Sequence, residues 1–240
     1  MIDFEPIRDT EPALVHSPLL KAALLTLGYI EANGPIGLTP SKALKRYFVT
    51  WAAEEFAWPY YTAPELYDMN KVLNEQDFLP LMVLHDVLLS AKLVRHYKGA
   101  MHITKLGKQL RSHPAVLWTV LTNHLLCVLD PSQYARFEDK FAGDWDVLLA
   151  VINAEAEVAV TDKRLCSVLF GISEKDMLRD YRLSSMLYLH VLRPLAWAGL
   201  LDELRQGRGF ERSRMFVKTP LWAAALPFAP AEHVARPTIQ

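Results

Sequence analysis

The second half of this chain restates the order of its first half, and that duplication constrains the fold more than any other feature of the sequence. Leu38-Thr39-Pro40-Ser41-Lys42-Ala43-Leu44-Lys45-Arg46-Tyr47-Phe48 lies without a gap on Val160-Thr161-Asp162-Lys163-Arg164-Leu165-Cys166-Ser167-Val168-Leu169-Phe170. Further on, Ala91-Lys92-Leu93-Val94 matches Ala198-Gly199-Leu200-Leu201, and each leads into a hairpin pattern. Each hairpin closes on a threonine, as Thr104-Lys105-Leu106 and as Thr219-Pro220-Leu221. A repeated apolar order of this kind predicts two small cores, each closed by its own β-ribbon.

Helix start and stop signals divide the chain further. Ser17-Pro18 opens a helix, since serine accepts an orphan N–H and proline costs nothing in the first turn. Asn33-Gly34-Pro35 ends it. Thr39-Pro40 repeats the start signal, with a helix expected through Leu44, Tyr47, Phe48 and Trp51. Residues 57–76 read as a long connection rich in Pro and Tyr, followed by a strongly apolar helix over 77–91. The hairpin 93–103 turns at Lys98-Gly99, which sets His96 against Met101 and Arg95 against His102. His113-Pro114, Asp130-Pro131, Asp144 and Thr161 each open a further helix, and a long one spans 183–198. The second hairpin joins 200–205 to 214–218, and Thr219-Pro220 caps the last helix. The expected fold is mainly α with two small β-hairpins. Its parts are a lead-in (1–17), a first unit (18–112, with the insert 57–76), a helical connector (113–143), a second unit (144–226) and an extended tail (227–240).

Helix, short strand, helix, helix, hairpin and capped helix is an order that resembles the winged helix-turn-helix superfamily, here in tandem. The passage from Ala91-Lys92-Leu93-Val94 to Ile103-Thr104-Lys105-Leu106-Gly107 is especially similar to the helix-to-wing step of such proteins. Gly37-Leu38-Thr39-Pro40 with that wing is also similar to a helical module of pRiA-type plasmid open-reading-frame proteins. The resemblance implies tandem winged-helix-like units and a binding role.

Bulk properties narrow the classes. Lys and Arg number 26 against 27 Asp and Glu, for a formal net charge of -1, so any nucleic-acid surface has to be local. The two cysteines, Cys127 and Cys166, are too few for a disulfide framework. The N-terminus lacks the basic and apolar regions of a signal peptide, and no apolar run reaches ~18 residues, so a cytoplasmic protein without a membrane partner is expected.

In the winged-helix reading, one helix per unit enters the major groove and needs Arg, Lys, Asn or Gln on its exposed face. The first unit's candidate, Phe78 to Ala91, has no Arg or Lys and is apolar on nearly every side, so it reads as core or as a protein interface. The second unit is the better DNA candidate. Its hairpin carries Arg205, Arg208, Arg212, Arg214 and Lys218, with Gly207 and Gly209 near the tip; Arg179, Arg182 and Arg193 belong to the neighbouring helix region. The alternative partner is a protein or a second copy of the chain. It would be held by the apolar first unit and the aromatics Trp58, Tyr60, Tyr61 and Tyr67, residue types favoured as interface anchors. No enzyme is expected: H-E-x-x-H, Walker A, G-x-S-x-G and G-x-G-x-x-G are all absent. No metal or cofactor is expected either, since strand alternation sends His96 and His102 to opposite faces.

Overall fold

The signal at Ser17-Pro18 acts as read: Ser17 Oγ accepts the Leu20 N–H at 3.1 Å and starts α1 (Pro18–Asn33), which Gly34 ends at φ 85°. A computed structural model describes residues 1–134, 143–173, 182–206 and 213–227. After α1 come β1 (Ile36–Gly37), α2 (Arg46–Glu55), α3 (Ala63–Met69), α4 (Leu79–Ser90), β2 (Val94–Tyr97), β3 (Ala100–Ile103), α5 (Lys105–Arg111) and α6 (Pro114–Asn123). The second half holds α7 (Trp145–Glu155), β4 (Val160–Thr161), α8 (Asp162–Phe170), α9 (Arg182–Leu187), α10 (Arg193–Ala198), β5 (Leu201–Gln206), β6 (Ser213–Lys218) and α11 (Pro220–Ala225). The molecule is thus mainly helical, with two three-stranded antiparallel sheets ordered β1-β3-β2 and β4-β6-β5.

The duplication is visible atom by atom at the hairpins. Leu93 N–H donates to Leu88 O and Leu200 N–H to Leu195 O, both at 2.9 Å. Thr104 Oγ donates back to the carbonyls of Lys92 and Leu93, and Thr219 Oγ to those of Gly199 and Leu200. Each threonine oxygen also accepts a backbone N–H of the helix it caps, from Gly107 and from Leu221. The first hairpin has the expected register, His96 opposite Met101 and Arg95 opposite His102.

Three expectations need correction. The gapless match of 38–48 on 160–170 does not hold in space. Ile36 pairs with Met101 and Val160 pairs with Phe216, so β4 corresponds to β1, two residues before Leu38. Thr39 caps no helix; its hydroxyl accepts Ala43 N–H in a local turn, Lys42 lies at φ 67°, and α2 begins only at Arg46. A threonine followed by proline suits a turn as well as a cap, and here the turn wins. The insert is also not plain loop: Glu65 accepts the Thr62 N–H at 2.9 Å and starts α3 within it.

The expectation of two cores needs correction too. Buried side chains of both halves form one contiguous cluster instead of two. Small units bury a smaller fraction of their surface than large ones, and here each covers the other. Trp118 of α6, fully buried, donates its indole N–H to Ala198 O at 2.8 Å, and Trp58 meets Trp197 edge-on at 5.5 Å. The lead-in is a strap across both halves. Ile2 N–H donates to Asn123 Oδ1, Phe4 packs edge-on against Trp118, and Glu5 N–H donates to Ala225 O.

The long helix of the second half is interrupted. Residues Tyr188–Leu192 form a π turn, in which Arg193 N–H returns to Tyr188 O. Pro194 follows at once, and its ring excludes the carbonyl four residues back from ordinary helical geometry. Widening the preceding turn accommodates it. A second π turn, His124–Val128, extends α6. Among the described residues no helix is long and apolar enough to cross a membrane.

Candidate nucleic-acid interface of the second unit

Strand alternation puts Glu203 and Arg205 on one face of β5, and the ladder sets Arg205 directly opposite Arg214 of β6. Like charges facing across a ladder repel, so this pair requires a counter-charge and a support. Glu203 supplies the charge: its Oε1 accepts Arg205 Nε at 2.7 Å and lies 3.7 Å from Arg214 Nε. Aromatic rings supply the support, with Arg205 over Tyr60 at 3.7 Å and Arg214 over Tyr188 at 4.0 Å. Tyr188 OH donates to Glu203, and Tyr60 OH donates to the Glu203 backbone carbonyl at 2.7 Å. Burial, then the Glu203 charge, pushes the Tyr188 phenol up to about 12, so it stays a donor at neutral pH.

The basic residues read from the sequence have different fates. Arg193 is buried, over the rings of Trp197 and Tyr188 at 4.9 and 5.9 Å, and burial lowers its pKa. Lys218 points back towards α7, donating to Asn153 O and Oδ1 at 2.9 and 3.0 Å and pairing with Glu157. Neither is turned outward as contact with a duplex backbone requires. Arg205 and Arg214 are partly covered as described. Arg182 is exposed at the start of α9. Arg179, Arg208 and Arg212, with Gly207 and Gly209, lie outside the described residues, as does the tail after Pro227.

The aromatic residues of the insert are occupied within the chain. Trp58 is buried against Trp197, Tyr60 is bound to Glu203, and Tyr61 stands 6.5 Å from both the Phe78 and the Trp197 rings. Tyr67 on α3 is exposed. In α4 no residue is fully exposed, so the first unit's groove-helix candidate is core.

Sequence reasoning missed Glu203. The signal was present, since a carboxylate two residues before Arg205 shares its strand face. It also missed a chain of polar groups in the first unit. Buried Glu75 meets His85 Nδ1 at 2.6 Å, His85 Nε2 meets His96 Nε2 at 2.8 Å, and the other Glu75 oxygen accepts Leu44 N–H. Among the described residues no group of three or more His, Cys, Asp or Glu is arranged to hold a metal ion.

Two facing ring nitrogens share one proton, and a second proton breaks the contact. Burial, then His85 and Lys42, holds the His96 pKa below its ordinary 6.5, against the opposing pull of Glu75 and Asp86. The unfolded chain therefore binds this proton at a higher pH than the folded one. Stability is full above about pH 6.5 and declines as the pH falls towards the lower folded value. Urea unfolding midpoints are expected to fall between pH 7 and pH 5, and to fall less steeply in His96→Gln. Equal slopes in the two proteins count against this role of His96.

Comparison with known proteins places these features in a family. Residues 15–116 match the family model described as the Y4jL N-terminal domain, and residues 135–220 match the y4jL C-terminal domain. The uncharacterized protein y4jL of Sinorhizobium fredii is 35% identical over 155 residues, which cover 64% of this chain and 70% of that protein. The chain belongs to the y4jL family. No solved structure matches it.

Proposed function

We propose that this is a non-catalytic binding protein of two winged-helix-like units that engages double-stranded DNA through the second unit, with the first unit as its brace. One observation carries the reading. The wing runs back alongside the long helix: Leu200 is bonded to Leu195 near the helix end, and Arg205 stands beside Tyr188, at 3.4 Å from its hydroxyl. From Leu201 to Arg205 the ribbon thereby runs back from the helix end towards its start, where Arg182 is exposed. A winged-helix reader addresses DNA with the N-terminal part of one helix and its wing together.

The test is fluorescence anisotropy of the full chain with a labelled duplex over a range of salt. Affinity is expected to fall steeply with salt, and replacing Arg208 and Arg212 by Glu is expected to abolish binding at moderate salt. Each phosphate contact contributes a log–log slope of about −0.9. No binding at low salt, or binding unchanged in the double variant, overturns the reading. A protein–protein role is favoured by one separate observation, the exposed apolar group Tyr67, Met69 and Val72 on and after α3. Self-association or a stable heteromer, without DNA binding, is the result that selects it.

A further inference from the structure

We propose that Arg193, Arg205 and Arg214 form a binding site for a phosphate group, free or as a monoester, where the first unit's aromatic loop meets the second wing. This goes beyond the DNA reading, because the ligand is a small anion and not a duplex.

The inference starts from Arg193. It is only 8% exposed and makes no hydrogen bond or ion pair among the described residues. Its Nε–H is buried without an acceptor, and so is that of Arg214. Both guanidiniums lie over the same ring, Tyr188, at 5.9 and 4.0 Å. A buried charge is normally paired, because losing its hydration is otherwise uncompensated. Both donors lack the acceptor that a buried guanidinium ordinarily has.

The protein's own carboxylates do not fill that place. Glu203 is the nearest, and its oxygens already serve Arg205 Nε at 2.7 Å and Tyr188 OH at 3.3 Å, with Arg214 Nε at 3.7 Å. Asp162 reaches only Arg214, at 4.0 Å. Tyr61 and Tyr188 also face the cluster, and burial keeps both phenols neutral. Three guanidiniums against Glu203 and the more distant Asp162 leave an excess of about one positive charge. A phosphate monoester carries about −1.5 to −2 at neutral pH and offers several acceptor oxygens. Guanidinium forks suit phosphate oxygens, and stacking on aromatic faces holds the forks in place. A cavity of about 230 Å³ opens at Arg205, with Tyr60, Trp197 and Glu203 in its lining, while Arg193 and Arg214 stand behind that lining. The π turn that carries Tyr188 is a distortion of a kind that recurs at functional sites.

The test is thermal unfolding and calorimetric titration of the full chain with inorganic phosphate, against chloride at matched ionic strength. Phosphate is expected to raise the Tm and chloride is not. In Arg193→Met, which keeps the stacking on Trp197, the phosphate response is expected to vanish while the Tm without phosphate rises, because an unpaired buried charge has gone. A purely structural arginine gives the opposite sign. Arg214→Gln, at a more exposed position, is expected to weaken phosphate binding by about tenfold to a hundredfold, the range for a charged hydrogen bond. Adenosine monophosphate distinguishes the sources: binding tighter than phosphate assigns a monoester, and weaker binding assigns the free anion. A phosphate effect no larger than that of chloride, or one retained in Arg193→Met, overturns the proposal. A duplex without terminal phosphates keeps the two readings apart, since phosphate binding without duplex binding sinks only the DNA reading, and the reverse sinks only this one.

Discussion

Replacing Gly199 with alanine is expected to destabilise the protein by about 3 kcal/mol or more, the sum of left-handed strain of about 1–2 kcal/mol and overpacking of about 1–3 kcal/mol. Gly199 sits at φ 84°, and a Cβ there would stand 2.6 Å from His16 C, His16 O and Ser17 Cα. All three are backbone atoms, so no side-chain rotation relieves the overlap. The equivalent position in the first half shows that the second term matters. Lys92 lies at φ 57° with a full side chain, in the same step from helix to hairpin. A left-handed backbone is therefore tolerated here, and what singles out Gly199 is the lead-in strap pressed against it. Urea unfolding monitored by tryptophan fluorescence measures the loss; a change below about 1 kcal/mol would falsify the claim that this contact joins the halves.

The second large effect is expected at Trp118. Truncation of a fully buried tryptophan to alanine costs about 3–5 kcal/mol, and in this position it also strands a partner. Ala198 O accepts the indole N–H at 2.8 Å, and Ala198 is itself buried. Trp118→Phe retains most of the packing but leaves that carbonyl unpaired, a loss of about 1–3 kcal/mol. The ordering Ala worse than Phe worse than wild type is the expected result by the same urea measurement. Because Ala198 and Gly199 are neighbours, Trp118→Ala combined with Gly199→Ala is expected to cost less than the sum of the two. Strict additivity would mean that the two contacts do not share one interface.

Much of this architecture is legible in the sequence because it rests on local chemistry. A two-residue turn at Lys98-Gly99 fixes the register of every pair in the first hairpin, and the threonines that close both hairpins bond as such residues do next to a helix start. The stretch 38–48 misleads for a related reason. Threonine and proline carry the same signal for a turn and for a cap, and only the pairing of Ile36 with Met101 decides between them. The candidate site was harder to read because its partners are distant in sequence. Arginines in a hairpin look solvated until Tyr60, 143 residues away, is found bonded to Glu203 between them. Arg193 looks like a surface residue of a long helix, yet Pro194 and the π turn before it lie at its buried stretch. Of the aromatic insert, Trp58, Tyr60 and Tyr61 fold back on their own chain, and Tyr67 stays exposed.

The strap has a consequence for how the protein is made. Glu5 bonds to Ala225, so this segment waits for its partner until the roughly 220 residues between them have been translated. At about 5–20 residues per second the delay is roughly ten to forty-five seconds. During that interval the surface around Phe4 and His16 lacks its C-terminal cover, and the nascent chain holds an unfinished first half. A ribosome stalled before α11 would leave an apolar seam open to chaperones, however well the earlier helices had formed.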